Sequence, residues 1–490
     1  MRPIQLDSWR LTPATRQGRL LAKGGGIFTV LVCVLHIAIG ADPLVACLAG
    51  LAVIISIYPI AIHGFLNIGA VLIAMVGFRY VGFPFFAKLT MGQPLDTYLL
   101  DPAGSFWVVL LGLQGYLFAF SVASNLPVGR PALKLVTSNA TLARISFLAA
   151  IIGIMANLSV AFRAGEQYTG LTVAEFFVPF LHLALISAIA RVLQATEKRR
   201  GLDMWIICLL IAEIAFAMVK NSRMALMETF LCFIVTVISF EAKIRWRQFL
   251  FTVFAIVMVI IFATPVFLYV RDSRDDLSWT QRIEATLEMV LKWPEAFAEY
   301  QEYRDLANRS GWHLNYYGSP QNIFERTTLV NHVDVIKAGS DIYGPVGLED
   351  MKLCLKRAMP RALSPDKPRE YSQGSWLYEK IGLSNQGPFA TAPLIGTGYA
   401  AFGWAGAFFY PLVLGLAWFL IVKKISGWHL QGNVWAIYLL LRIHNQFVEG
   451  ASDAYVVNVL RSLPQDLFLL WLIEIFARGR FLHPWRKMAV

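Results

Sequence analysis

The sequence offers its clearest chemistry in clusters of arginine and lysine. One cluster lies between Lys356 and Arg369, where basic residues are interspersed with three prolines. Each proline fixes a backbone angle and removes an N–H donor, so this stretch is predicted to hold its cations in a stiff array. Arginine binds phosphate in a bidentate manner and lysine supplies a point charge. Arg357, Arg361 and Lys367 are therefore predicted to bind an anionic group, either of a ligand or of lipid headgroups.

Further cations stand beside apolar segments. Lys220 and Arg223 lie at a tight turn between two such segments, and Arg271 follows a third. Cations at the mouth of a helix bundle can hold a diphosphate, and they can equally extend to lipid headgroups. The sequence leaves both alternatives open.

A polar stripe interrupts a late apolar segment. Arg442, Asn445 and Glu449 are spaced i, i+3 and i+7, which places them on one face of a helix. His444 stands beside this stripe and Asp453 follows it. A charge at the centre of a membrane span costs about 2.5 to 3.5 kcal/mol, so such residues usually face the bundle interior or a wet cavity. We interpret the stripe as the wall of a cavity, with an Arg–Glu brace between helices as the alternative.

These residues must be positioned by membrane helices. The chain of 490 residues is 57% hydrophobic and 15% charged, whereas an ordinary soluble chain is about 25% charged. A run of about 20 apolar residues crosses a bilayer, and such runs recur along the chain. We predict an all-α polytopic membrane protein with spans at 27–41, 43–60, 64–84, 104–124, 145–162, 172–193, 203–219, 224–240, 249–270, 396–422, 433–449 and 463–478.

The predicted organisation has one large insertion between membrane regions. A tail over 1–26 precedes nine spans within 27–270, a large loop at 271–395 precedes three spans within 396–478, and a tail covers 479–490. Helical spacing in the loop predicts helices within 277–305, 321–338 and 347–359.

Charge predicts the orientation. Basic residues concentrate in alternate short loops and in both tails, so both termini are predicted to be cytoplasmic and the large loop periplasmic, in a bacterial inner membrane. This distribution also accounts for the net charge of +11, and no nucleic-acid partner is expected.

Several motifs of metal and nucleotide chemistry are absent from the sequence. It contains no Asp-x-Asp pair, no Walker A loop, no His-Glu-x-x-His and no Gly-x-Ser-x-Gly elbow. An enzyme of this kind is expected to use no metal and no cofactor, and to act on a membrane-bound, already activated anionic substrate.

Three motifs resemble those of Wzy-type polymerases, which join the repeat units of O-antigen and exopolysaccharide. They are Ser222-Arg223 at the start of a span, Pro360-Arg361-x-Leu363-x-Pro365-Asp366-Lys367-Pro368, and the glycine-rich stretch from Gly396 to Gly406. The resemblance extends from about residue 205 to residue 450. This chain has Gly398 where the family often has an acidic residue.

The resemblance implies a glycosyltransferase with a GT-C-like bundle. Such an enzyme joins undecaprenyl-diphosphate-linked oligosaccharide units at the outer leaflet and releases undecaprenyl diphosphate. Its partners would be the lipid-linked oligosaccharide, membrane lipids, a chain-length regulator and a flippase. The diphosphate would be stabilised without a metal by Arg223, Lys220, Arg271, Arg357, Arg361, Lys367 and Arg442. The base for the attacking hydroxyl would be Glu449, Asp453, His444 or Glu379.

Two other functions fit the same sequence. A ligase that transfers finished glycan to lipid A core would share the topology and the arginines. A secondary transporter with twelve spans is the third hypothesis. The lack of related halves and the single large outer loop count against transport.

Overall fold

A computed structural model describes residues 13–162, 173–220, 222–243, 254, 258–259, 261–266, 279–307, 327–359, 364, 373–383 and 391–479. Within these ranges the chain is helical and has no strand beyond an isolated bridge between Asn67 and His429. The helices are α1 (Pro13–Ala38), α2 (Pro43–His63), α3 (Ile68–Gly77), α4 (Phe83–Thr90), α5 (Pro102–Asn125), α6 (Asn139–Phe162), α7 (Val173–Phe177), α8 (Phe180–Ala195), α9 (Met204–Val219), α10 (Arg223–Ser239), α11 (Trp279–Leu291), α12 (Trp293–Ala307), α13 (Val330–Tyr343), α14 (Glu349–Ala358), α15 (Gln373–Lys380), α16 (Leu394–Ser426), α17 (Val434–Glu449), α18 (Ser452–Val457) and α19 (Leu463–Ala477). Single π-helical turns, Phe78–Gly82 and Asn458–Ser462, join α3 to α4 and α18 to α19.

Eight helical segments of the described chain have the length and hydropathy of membrane spans. They are Gly18–Ala38, Pro43–His63, Ile68–Thr90, Pro102–Asn125, Asn139–Val160, Ala174–Ala195, Leu394–Ser426 and Ser452–Ala477. Helices α9 and α10 are apolar but shorter, and the 16-residue α17 carries Arg442 and Glu449. The span expected at 249–270 lies largely outside the described residues. A polytopic all-α membrane protein is thus confirmed, whereas twelve spans remain a prediction.

The tenth predicted span is divided into two helical segments. Within α16, Phe402 and Gly403 have non-helical backbone angles, and the φ of Gly403 is 60°. A Cβ on Gly406 would lie 1.9 Å from the carbonyl oxygen of Gly398. Eight residues of a straight helix span about 12 Å, so the chain must fold back at Gly403. The helix expected over 396–422 is therefore interrupted at Gly403, and the segment before Gly403 packs against the first turns of the segment after it.

Part of the predicted loop is built into one end of the bundle. Helix α13 packs against α5 and α16. The buried Asp334 carboxylate accepts hydrogen bonds from the backbone N–H groups of Leu100 and Asp101, at 2.7 and 2.9 Å, and from the Ser105 hydroxyl at 2.7 Å. These bonds fix α13 to the start of α5. We call this end of the bundle the loop end.

The remaining loop helices follow the predicted pattern with shifted bounds. Helices α11 and α12 occupy most of the interval expected to be helical at 277–305, and they meet next to Pro294. Helix α13 begins later than expected, whereas α14 lies within the predicted 347–359.

The opposite end of the bundle is closed by basic residues and is called the basic end. Lys423 donates hydrogen bonds to three carbonyls at the end of α5, those of Ala123, Ser124 and Leu126, at 2.8 to 3.0 Å. Backbone hydrogen bonds also join the chain after α8 to the chain after α10, and the chain after α16 to the end of α10. Successive spans therefore run alternately between the two ends.

Candidate functional site

Two arginines flank the turn between α17 and α18 at the loop end. Arg79 Nη1 lies 2.5 Å from Glu449 Oε1, and Arg357 Nη1 lies 2.5 Å from Asp453 Oδ2. Glu449 ends α17, and Asp453 lies in the first turn of α18. We call Arg79, Arg357, Glu449 and Asp453 the rim cluster.

The local backbone holds Arg79 in place. It belongs to the π-helical turn Phe78–Gly82, and such turns often occur at functional sites. Its Nε donates to the Thr327 carbonyl at 2.6 Å, and its own carbonyl accepts from the backbone N–H of Leu329 at 3.1 Å. The segment that leads into α13 is thus tied to the rim cluster.

A buried carboxyl group adjoins the rim cluster. Asp350 lies in the first turn of α14 and accepts a hydrogen bond of 2.7 Å from the Ser452 hydroxyl. That hydroxyl accepts in turn from the Cys354 thiol at 3.4 Å. Burial, together with the nearby charge of Asp453, raises the pKa of Asp350 to about 7 against the opposing effect of the Ser452 hydrogen bond. Asp350 can therefore change its charge near neutral pH.

An imidazole lies near Arg79. His332 is in the first turn of α13, and its Nδ1 lies 3.1 Å from the Tyr378 hydroxyl, which donates to the Thr391 carbonyl at 3.0 Å. Burial, followed by the positive charge of Arg79, lowers the pKa of His332 to about 4. The ring is therefore neutral near pH 7.

A second group of charges lies inside the bundle. Arg442 Nε is 3.5 Å from Asp466 Oδ2, and the Asp466 side chain is only 1% exposed. At this distance the two groups attract as charges, and in the described part of the chain the guanidinium has no closer partner. Glu228 interacts electrostatically with Arg442 and with Lys220. Lys220 donates to the Asn157 side chain at 2.5 Å.

Two further side chains extend this group. His182 Nε2 lies 3.5 Å from Glu213 Oε2, and Lys220 interacts electrostatically with Glu213 and Glu228. We call the whole set the intramembrane cluster, which comprises Arg442, Asp466, Lys220, Glu228, His182 and Glu213. It is assembled from α8, α9, α10, α17 and α19, and from the turn after α9.

The structure divides the predicted residues between the two clusters. Arg357, Glu449 and Asp453 are in the rim cluster, whereas Lys220 and Arg442 are in the intramembrane cluster. Arg442 and Glu449 share a helix but pair with side chains of different elements. Glu449 therefore forms a brace with an arginine, the alternative that the sequence left open, and Arg442 does not join it.

The other two candidate bases are His444 and Glu379. The buried His444 has its Nδ1 2.8 Å from the Leu441 carbonyl, and its Nε2 is buried without a hydrogen-bond partner among the described residues. Glu379 is exposed on α15. Outside the described residues lie Arg271, Arg361, Lys367 and the side chain of Arg223.

Sequence reasoning did not single out His332, Asp350 or Asp466. His332 and Asp350 lie in polar segments, where a histidine or an aspartate is unremarkable without knowledge of its neighbours. Asp466 lies in an apolar segment, and the cost of an intramembrane charge that drew attention to Arg442 applies equally to it.

The two clusters supply cations for an anion and groups for proton transfer. In the described ranges no group of three or more His, Cys, Asp or Glu side chains is arranged to hold a metal ion. Comparisons with protein-family models, with curated proteins and with solved structures found no match to this chain. Function is therefore inferred from the side chains of the two clusters and from the sequence motifs.

Proposed function

We propose that this chain is a membrane-embedded glycosyltransferase that polymerises lipid-linked oligosaccharide repeat units, the activity of the family that its motifs resemble. The observation that carries the proposal is the placement of Arg79 and Arg357 on the Glu449–Asp453 turn. Cations from distant parts of the chain converge there at the loop end. In the proposed orientation this end faces the periplasm, with both termini in the cytoplasm of a bacterial cell.

The proposed reaction requires stabilisation of a diphosphate leaving group. Negative charge develops on the diphosphate as its bond to the sugar breaks, and preorganised cations stabilise that charge without reorganisation. Glu449 and Asp453 balance the charges of Arg79 and Arg357 in this structure. An incoming diphosphate would compete with these carboxylates for the arginines.

The intramembrane cluster suits the lipid side of the same substrate. Arg442 and Lys220 place basic side chains among membrane helices, and a charge in that environment is costly unless it serves a partner. In the proposal their charge attracts the diphosphate of a lipid whose chain lies between the helices.

Purified protein supplied with a lipid-linked repeat unit tests the proposal. We expect a ladder of lipid-linked oligomers and release of the lipid diphosphate. Arg357→Ala should lower turnover about 100-fold, the typical cost of removing one preorganised donor. Arg357→Lys should retain more activity because it keeps a charge beside Asp453. The neighbouring Lys356 is exposed on the same helix, so Lys356→Ala is the matched control and should polymerise normally.

The same assay separates the alternatives. Absence of a ladder from folded wild-type protein, with transfer of glycan only when lipid A core is added, would replace the polymerase by a ligase. A normal ladder from Arg357→Ala would remove that residue from the proposed site.

The intramembrane cluster supports transport as a second candidate, because ionisable groups among membrane helices also form ion pathways. Proton-dependent uptake of a solute into proteoliposomes, without sugar transfer, would favour that candidate.

A further inference from the structure

We propose that His332 is the general base of the glycosyl transfer proposed above, acting through Nε2, and that Tyr378 is the positioning residue that selects the required tautomer. The inference rests on the proposed function and names the group that takes the proton. Nothing in the sequence motifs points to either residue.

The hydrogen bonds of Tyr378 determine the tautomer of His332. The Thr391 carbonyl can only accept, so the single proton of the Tyr378 hydroxyl is committed to that bond of 3.0 Å. The Tyr378 hydroxyl must therefore accept in its contact with His332 Nδ1, at 3.1 Å. Nδ1 carries the hydrogen, and the lone pair of the neutral ring lies on Nε2.

The surroundings keep the His332 ring neutral. Burial and the charge of Arg79 both disfavour the imidazolium form, so the base is unprotonated at the pH of the reaction. His332 is partly exposed, and its Nε2 has no hydrogen-bond partner in the described part of the chain. An imidazole whose lone pair is on Nε2 therefore lies near Arg79, which the proposed function assigns to the diphosphate.

The other candidate bases are occupied or misplaced. Glu449 and Asp453 each have a carboxylate oxygen 2.5 Å from an arginine nitrogen. His444 bonds a backbone carbonyl through Nδ1, and its Nε2 is buried. Glu379 is exposed on α15.

The step balances without a further reactant. The hydroxyl oxygen of one lipid-linked unit attacks the anomeric carbon of another, and its proton passes to His332 Nε2. The bond between that carbon and the phosphate oxygen breaks, and its electron pair leaves with the lipid diphosphate. His332 then returns the proton to water or to the departing diphosphate.

The test measures turnover and substrate binding separately in the full-length protein. His332→Ala should lower turnover about 10²- to 10⁴-fold, the usual contribution of a general base, while binding of the lipid-linked unit is retained. Added imidazole should restore part of the lost turnover. His332→Gln can still bond Tyr378 but cannot act as a base, so it should fold and bind substrate yet stay inactive.

Tyr378→Phe tests the positioning role. It should lower turnover less than His332→Ala, because the ring remains but its tautomer is no longer selected. Tyr343 is 62% exposed on the helix that carries His332, and Tyr343→Phe is the matched control with unchanged turnover.

The outcomes distinguish this inference from the function on which it rests. A wild-type protein that forms no ladder overturns the proposed function. A wild-type ladder with full activity in His332→Gln overturns the role of His332 alone. The role of His332 is also overturned if His332→Ala is inactive and is not rescued by imidazole while His332→Gln is active.

Discussion

At the scale of single residues, side chains of opposite charge lie close together at the loop end. Asp350 is fully buried beside the Arg357–Asp453 pair, where an ionised carboxylate is poorly solvated. Its pKa of about 7 in the folded protein exceeds the value near 3.9 that is typical of an unfolded chain. The folded protein therefore binds this proton more tightly, and the resulting stabilisation is complete below about pH 3.9 and is lost as pH rises through 7.

The direction of the Asp350 pKa shift predicts how the melting temperature in detergent depends on pH. The melting temperature of the wild type, relative to that of Asp350→Asn, should fall between pH 5 and pH 8, because only the wild type must ionise a buried carboxyl group. Each unit of difference between the folded and unfolded pKa of Asp350 changes the free energy of unfolding by about 1.4 kcal/mol. Comparison with Asp350→Asn removes the contribution of His332, whose lowered pKa gives stability that is lost as pH falls toward 4. Parallel curves for the two proteins would contradict the raised pKa.

At the scale of elements, glycines permit the fold-back of α16. Gly403 adopts a φ of 60°, a backbone conformation that residues other than glycine rarely adopt. Gly398 and Gly406 then allow the two segments to meet through their backbones. The glycine-rich stretch from Gly396 to Gly406, which the sequence offered as a family motif, thus has a direct steric role in this chain.

A substitution tests this close approach. The Cβ of Gly406→Ala would lie 1.9 Å from the Gly398 carbonyl oxygen, so the two segments must separate. We expect a loss of about 1 to 3 kcal/mol, as for other overpacked sites, measured as a lower melting temperature. Gly26 in α1 is the control, because a Cβ there meets nothing within 4 Å. Gly26→Ala should leave stability unchanged or raise it slightly. Equal melting temperatures for Gly406→Ala and Gly26→Ala would refute the close approach of Gly406 to Gly398.

At the scale of the whole molecule, the two ends of the bundle differ in their chemistry. The basic end combines lysine–carbonyl bonds with ion pairs such as Lys198–Glu241, whereas the loop end holds the rim cluster together with α13 and α14 of the large loop. The excess of basic residues at one end is what orients a membrane protein with that end in the cytoplasm.

Cysteine labelling tests the proposed orientation. In a variant without native cysteines, Ile342→Cys should react with a membrane-impermeant maleimide in intact spheroplasts, because Ile342 is 77% exposed at the loop end. Glu197→Cys should react only after lysis, since its side chain is 81% exposed in the short connection at the basic end. The reverse pattern would invert the topology and place the rim cluster in the cytoplasm.

The sequence by itself determined the class of the protein. Long apolar runs have few alternatives to membrane helices, because every backbone polar group must be bonded within the bilayer. Arg442 and Lys220 could likewise be singled out, since a charge in or beside an apolar run is conspicuous without any structure. The bounds of α14 followed closely from helical spacing and from the proline after it.

Only the tertiary structure decided which charges meet. Arg79 and Glu449 are far apart in the sequence, and so are Arg357 and Asp453, so no spacing rule connects them. The rotation of each helix about its axis depends on packing against its neighbours, and that packing sent Arg442 and Glu449 to different partners. His332 gained its significance in the same way, because the contacts that fix its tautomer come from Tyr378 and, through it, from Thr391, both in later segments of the chain.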